Sequence, residues 1–280
     1  MAEATSIIID PRAQALLDGI AKVKQDIIDI LFEHDSIVLQ ENPSIEHEYM
    51  VRVGCWEKLK LEEYANALRA KRKHAFAQQA ANQDSMIDEM AIEQLLDKEL
   101  SDWDAHLAAV FSSFSKIISE NSVRMKMSKE ESKELTFLYR KIMKRLHPDL
   151  LSNPTKQQSE LFFATQQAFH NGDVLALRAI ETVLSGAGVR DFETAPESKT
   201  SIDQLRIELL GNETTRDILA SKLEQLKQEC PYSYKERLAD TNWVRETVSK
   251  LQEGIESSIE VRKRYTERYL LLLKKQGGGQ

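Results

Sequence analysis

The chain has 280 residues and 32.0 kDa, enough for one to three domains with a sizeable buried core, which excludes a disulfide-stapled mini-protein. Acidic residues outnumber Lys plus Arg, 45 to 38, so the whole chain is a poor counter-ion for nucleic acid or anionic lipid and any basic surface must be local. Only 10 Gly and 6 Pro stand against 30% charged residues, a balance that favours long exposed helices and excludes an all-β sandwich. The longest apolar runs, Leu107 to Phe111 and Tyr269 to Leu273, fall far short of the roughly 18 residues a membrane span needs, so no membrane partner is expected. The N-terminus has no basic residue before Arg12 and only Ile7 to Ile9 as an apolar stretch, which does not read as a secretory signal. Cys55 and Cys230 are too far apart in sequence for a disulfide framework or a metal pair, and a reducing, cytoplasmic location is the default expectation.

Asp10-Pro11 is a helix start, a capping side chain followed by proline in the first turn. Leu16, Ile20, Val23, Ile27 and Ile30 then repeat at four- and three-residue spacing, a coiled-coil seam. Asn42-Pro43 predicts its end, and Ser44 is placed to cap a second helix carrying Ile45, Tyr49, Val53, Trp56, Leu59 and Leu68. The basic cluster Arg69, Lys71, Arg72 and Lys73 near its end reads as a solvated face. After a break over Asn82 to Ser85, a third helix from about Met86 to Ile118 should bury Ile87, Met90, Leu95, Leu100, Trp103, Leu107, Phe111 and Phe114. Charge is segregated here: between Asp84 and Asp104 acids are opposed by Lys98 alone, whereas Arg124 to Asp149 has a basic excess.

Ser128 and Glu131 form a capping box, followed by the stripe Leu135, Leu138, Ile142 and Leu146 and ended by Pro148. Arg140, Lys141, Lys144 and Arg145, two adjacent pairs four residues apart, stack into a basic ridge suited to an acidic partner. The sequence His147-Pro148-Asp149 comes next, then a loop through Asn153-Pro154 and a helix with Phe162, Ala168 and Phe169 that ends at Asn171-Gly172, where a left-handed cap is expected. A further short helix runs from Val174 to Leu184. Linker composition follows, then two amphipathic runs, Ile202 to Leu226 and Val244 to Ile259, read as a self-paired antiparallel hairpin with arms about 45 Å long at the α-helical rise. The same seam is equally able to pair between chains, which leaves a homodimer open.

The segment Tyr139-Arg140-Lys141-Ile142-Met143-Lys144-Arg145-Leu146-His147-Pro148-Asp149, with Phe162 and Ala168-Phe169 after it, resembles the J domain of co-chaperones that act on DnaK-type chaperones. The resemblance covers about Ser128 to Leu184. It departs from the family in having no recognisable first helix with a Tyr and a Leu-Gly turn between Ile117 and Ser128, a packing role that could fall to Phe111, Phe114, Ile117 and Ile118. The basic residue common after the tripeptide is also replaced, by Leu150-Leu151-Ser152. The fold expected is therefore all-α, with long helical coiled-coil arms flanking a small J-like domain. Its parts are an N-terminal helical region (1–120), the J-like domain (121–186), a linker (187–200), the C-terminal hairpin (201–275) and a flexible tail (276–280).

What the resemblance implies is a regulator rather than an enzyme. His147, Pro148 and Asp149 would dock on the ATPase domain of a DnaK-type chaperone, while Arg140, Lys141, Lys144 and Arg145 meet an acidic surface. Asp149 would accept a charge-assisted hydrogen bond, Pro148 would stiffen the loop and His147 would orient it, with the first and last of these side chains exposed. The helical arms would position a client. No cofactor or metal motif is legible, since the six histidines never fall at the three- or four-residue spacing of a helical zinc pair. A coiled-coil scaffold whose J-like segment no longer stimulates a chaperone is the alternative, motivated by the missing first helix. Nucleic-acid binding through Arg69 to Lys73 and Arg140 to Arg145 is disfavoured by the acidic balance. Charge segregation also raises self-inhibition, in which Glu93, Asp97, Glu99 and Asp102 fold back on the ridge.

Overall fold

A computed structural model describes residues 10–122, 127–151, 154–186 and 201–277, with the side chains of all but 120–122, 186 and 277. The expected linker over 187–200, Ile7 to Ile9 and Ser152 lie outside these residues, as does most of the tail. Among the described residues the secondary structure is helical without a strand, as the composition requires. None of these helices is long and apolar enough to cross a membrane.

The elements are α1 (Pro11–Ser36), α2 (Asn42–Tyr49), α3 (Cys55–Asn82), α4 (Glu89–Ser122), α5 (Lys129–Leu146), α6 (Lys156–Asn171), α7 (Val174–Gly186), α8 (Ile202–Gln228), α9 (Lys235–Ala239) and α10 (Thr241–Gly277). Asp10 caps α1 as its sequence predicts, accepting from Arg12 N at 2.9 Å. The predicted stop at Asn42-Pro43 does not occur. The helix widens instead into a π turn over Ile37–Glu41 and continues, with Pro43 inside α2. Pro43 has no N–H for the carbonyl of Leu39, four residues back, and that carbonyl accepts from His170 Nδ1 of α6 at 3.0 Å. A tertiary contact thus sustains a helix that local rules would end. Ser44 accordingly caps nothing; its hydroxyl donates to Gln40 O within the helix.

The chain divides into two compact units, one from Met1–Ser44 with Val123–Ser233 and the other from Ile45–Ser122 with Tyr234–Gln280. In the first, α1 contributes Val23, Ile27, Ile28 and Leu31 to a core shared with Leu135, Leu138, Tyr139, Ile142, Met143 and Leu146 of α5, Phe162 and Phe169 of α6, and Leu177 and Leu184 of α7. α8 lies along α1. The position of Gly19 faces Leu209, Lys24 pairs with Glu208 at 3.0 Å and Glu33 with Lys227 at 2.8 Å, so the two helices run parallel.

In the second unit α4 turns back on α3 after Asp84, whose φ of 51° makes the reversal. The buried stripe of α4 is Ile92, Leu96 and Leu100, with Ala77 and Tyr269 against it; the predicted Leu100 is buried with Ile87 and Trp103 packed beside it, while the predicted Met90 and Leu95 are exposed and Ile92 and Leu96 take their place. α10 lies along α3, also parallel: Arg262 pairs with Glu63 at 3.1 Å, and Tyr265 packs on His74. The self-paired hairpin expected over 201–275 is therefore replaced by two pairings in different units, α8 with α1 and α10 with α3. A heptad seam states that a helix buries a stripe, and any seam of matching length can cover it.

Three cations of the basic cluster of α3 are ion-paired, while Lys71 is exposed as expected. Arg69 pairs with Glu93 and Asp97 at 2.6 Å, Arg72 with Glu99 at 2.6 Å, and Lys73 with Glu89 and Glu93 at 2.8 and 2.7 Å. The carboxylates of Glu89, Glu93, Asp97 and Glu99 are thus engaged by α3 within their own unit.

Candidate functional site

The candidate site is built on α5, α6 and the turn between them. The capping box that starts α5 is present in full: Glu131 N donates to Ser128 Oγ at 3.2 Å and Ser128 N to a Glu131 carboxylate oxygen at 2.8 Å. Leu135, Leu138, Ile142 and Leu146 are buried as their spacing predicts, and Tyr139 and Met143, both inaccessible to solvent, widen the stripe. α6 opens with a second capping box, Thr155 with Gln158, and ends at Gly172, whose φ of 75° is the expected left-handed cap. The rings of Tyr139 and Phe169 stack at 4.0 Å, and His147 meets Phe162 edge-on at 4.9 Å, so α5 and α6 pack antiparallel.

His147 ends α5. Its N–H still bonds Met143 O at 2.9 Å, while its ψ of 126° is the extended conformation that a following proline enforces. Pro148–Leu150 forms one 3-10 turn, with Leu150 N donating to His147 O at 3.0 Å and Leu150 buried beneath. The Asp149 amide donates to His147 Nδ1 at 3.2 Å. Nδ1 therefore holds a lone pair, and a neutral ring carries its proton on Nε2. Pro148 and Asp149 are exposed at the tip, but His147 is only 7% exposed. The expectation of two exposed side chains thus holds for Asp149 and fails for His147, because the ring is folded onto Phe162. Burial pushes the His147 imidazole below its ordinary value, with the Asp35 and Asp149 carboxylates pulling the other way and His34 assisting burial.

The four ridge cations do not form one free surface. Arg140 pairs with Asp29 of α1 and lies over the Phe32 ring at 4.5 Å. Lys141 pairs with Glu181 of α7 at 2.7 Å, and Arg145 donates to Ser185 Oγ at 3.4 Å. Lys144 is half-buried in the last turn of α5. Nearer the start of α5, Glu134 takes a two-pronged contact from Arg178 at 2.6 and 2.7 Å. The ridge is thus split between α1 on one flank and α7 on the other.

Phe111 and Phe114, expected to pack on this segment, lie beneath the Lys58 ammonium in the other unit. The segment is packed by α1 instead. Phe32 packs on both Tyr139 and Phe169, and the Tyr139 hydroxyl donates to Asp35 Oδ2 at 2.5 Å. Asp35 is itself buried, with Oδ1 3.2 Å from His34 Nδ1. Neither Asp35 nor the burial of Tyr139 follows from the tripeptide. The available signal was Asp35 falling on the face of Ile28 and Leu31, four residues beyond Leu31, where an apolar residue would be expected. No family model, curated protein or solved structure matches this chain.

Proposed function

We propose that this protein is a J-type co-chaperone that accelerates ATP hydrolysis by a DnaK-type chaperone, acting as a regulator without covalent chemistry of its own. The observation that carries the reading is the His147-Pro148-Asp149 turn: Asp149 exposed at the tip, His147 and Leu150 turned into the core beneath it, and two antiparallel helices behind. An exposed carboxylate on a turn whose backbone is bonded at each end is preorganised to accept from a cationic side chain of a partner. The cations of α5 stand behind it, and their engagement with Asp29 and Glu181 makes them exchangeable, since half-exposed pairs of this kind are worth roughly 0.2–1 kcal/mol. Arg140, Lys141, Lys144 and Arg145 would swap these internal partners for an acidic surface of the chaperone. The long helices of both units would position a client.

The test is single-turnover ATP hydrolysis by a DnaK-type chaperone from the same organism with the full chain in excess. Acceleration that is lost in Asp149→Asn supports the reading. No acceleration by the wild-type chain overturns it and leaves the turn as a connector in a helical scaffold.

A further inference from the structure

Helices packed side by side bring the residues at the edges of their buried stripes against one another, and charges placed there either match or repel. α7 keeps Leu177 and Leu184 in the core it shares with α5. Its edge, Arg178, Glu181 and Ser185, lies along the edge of α5 that carries Glu134, Lys141 and Arg145. Arg178 donates twice to Glu134, at 2.6 and 2.7 Å, and Glu181 meets Lys141 at 2.7 Å. Ser185 Oγ accepts from Arg145 at 3.4 Å and donates to Glu181 at 2.7 Å. The two helices thus run parallel, and the sign of charge reverses along both edges so that each side chain meets its complement.

On the other flank of the ridge, Asp29 of α1 takes Arg140, whose guanidinium rests on the Phe32 ring. Two cations of a surface suited to an acidic partner are therefore met by carboxylates of their own unit, one from each side. The Arg140 and Lys141 side chains are still 44% and 41% exposed, so a second carboxylate can approach them while α1 and α7 stay packed. A partner that presents carboxylates to α5 must take these cations from Asp29 and Glu181, and its binding is weakened by whatever the two internal pairs contribute.

We propose that Asp29 and Glu181 form an autoinhibitory contact: they occupy Arg140 and Lys141 in the free protein and compete with the acidic surface of the partner for the ridge. The inference rests on reading the ridge as a chaperone-facing surface. It places the competing charge on α1 and α7, the two helices that flank α5.

The test uses the full chain with Asp29→Asn/Glu181→Gln, which keeps the shape of both side chains and removes their charge. A second variant, Asp203→Asn/Glu224→Gln, makes the same change in net charge on α8 of the same unit, at residues paired with Arg206 and Lys227 of their own helix. The first readout is the fluorescence anisotropy of a labelled decaglutamate peptide, which needs no chaperone. Its dissociation constant should fall about three- to tenfold in the Asp29/Glu181 variant and less than about twofold in the α8 variant, with the difference shrinking in high salt. The second readout is the concentration of the chain at half-maximal stimulation of a DnaK-type chaperone, which should fall in the same proportion while the maximal rate is unchanged. Equal peptide affinity in wild type and the Asp29/Glu181 variant, or no binding by either, overturns the inference. An equal gain in the α8 variant also overturns it, because net charge alone would then account for the effect, as does an unmoved half-maximal concentration with a chaperone that is stimulated. Should the double variant fail to fold, Asp29→Asn and Glu181→Gln are read singly under the same criteria. Tighter peptide binding with no stimulation by any form would remove the co-chaperone reading and leave the competition in place.

Discussion

Asp149 and His147 are two residues apart and belong to opposite sides of the surface, and their substitutions should separate accordingly. Asp149→Asn exchanges an exposed carboxylate for an amide, so the thermal midpoint should stay within about 0.5 kcal/mol of wild type while stimulation is lost. His147→Gln removes a buried ring from Phe162 and an acceptor from the Asp149 amide, and should cost roughly 1–3 kcal/mol in urea denaturation besides abolishing stimulation. A linkage follows from the burial. The His147 imidazole titrates lower in the folded chain than its ordinary value of 6.5, so the unfolded chain binds the proton first. The stability contributed by neutral His147 is fully present above about pH 6.5 and is lost as pH falls from there through the folded value. His74 is lowered in the same direction by burial and Arg268, so the measurement is the difference between wild type and His147→Gln in urea midpoint from pH 7.5 to 5. A gap that narrows with falling pH supports the assignment, and a constant gap contradicts it.

At the scale of elements, the helix ends are where local chemistry decides most. Gly172 ends α6 at a φ of 75° with its missing Cβ facing Met127 Sδ at 3.0 Å, so Gly172→Ala combines a left-handed backbone penalty with a crowded contact. The expected cost is about 1 kcal/mol or more, read as a lower thermal midpoint. Between α3 and α4, charge pairing works with the apolar stripe. Arg69 and Glu93 are each about a third exposed, and a double-mutant cycle on Arg69→Ala and Glu93→Gln should return a coupling of roughly 0.2–1 kcal/mol that shrinks in high salt. Lys73 and Arg69 hold the Glu93 carboxyl below the usual range against the cost of burial, in line with a pair that persists at neutral pH. The capping boxes at Ser128 and the turn after Asn82 were legible because each depends on residues within three or four positions of one another. The passage of helix through Pro43 was not, because it depends on His170, far away in the chain.

At the scale of the molecule, the first unit is assembled from segments far apart in sequence, and its stability is not contained in the J-like stretch. Residues 121–186 lack Val23, Ile27, Ile28 and Leu31, which α1 supplies to their core. A fragment of those residues should therefore show lower helicity by circular dichroism and no cooperative thermal transition, and adding residues 10–44 should restore both. An independently stable fragment would count against a core shared with α1. The parallel pairing of α1 with α8 has a geometric check of its own: cysteines placed at Gly19 and Leu209 face each other and should cross-link, as an α8 committed to α10 would not allow.

The sequence by itself determined what depends on spacing along one chain segment. Few glycines and prolines with amphipathic stripes specify helices, Ser128 with Glu131 starts α5, and Pro148 after His147 forces the turn that exposes Asp149. Periodicity states which face of a helix is buried and carries no address for the partner, so only the tertiary structure decided that α8 covers α1, that α10 covers α3, and that the carboxylates of α4 answer Arg69, Arg72 and Lys73. The same holds at the site. The tripeptide was visible in the sequence, but the packing of His147 on Phe162 and the bond from Tyr139 to Asp35, 104 positions away, arise between separate helices and no local pattern encodes them.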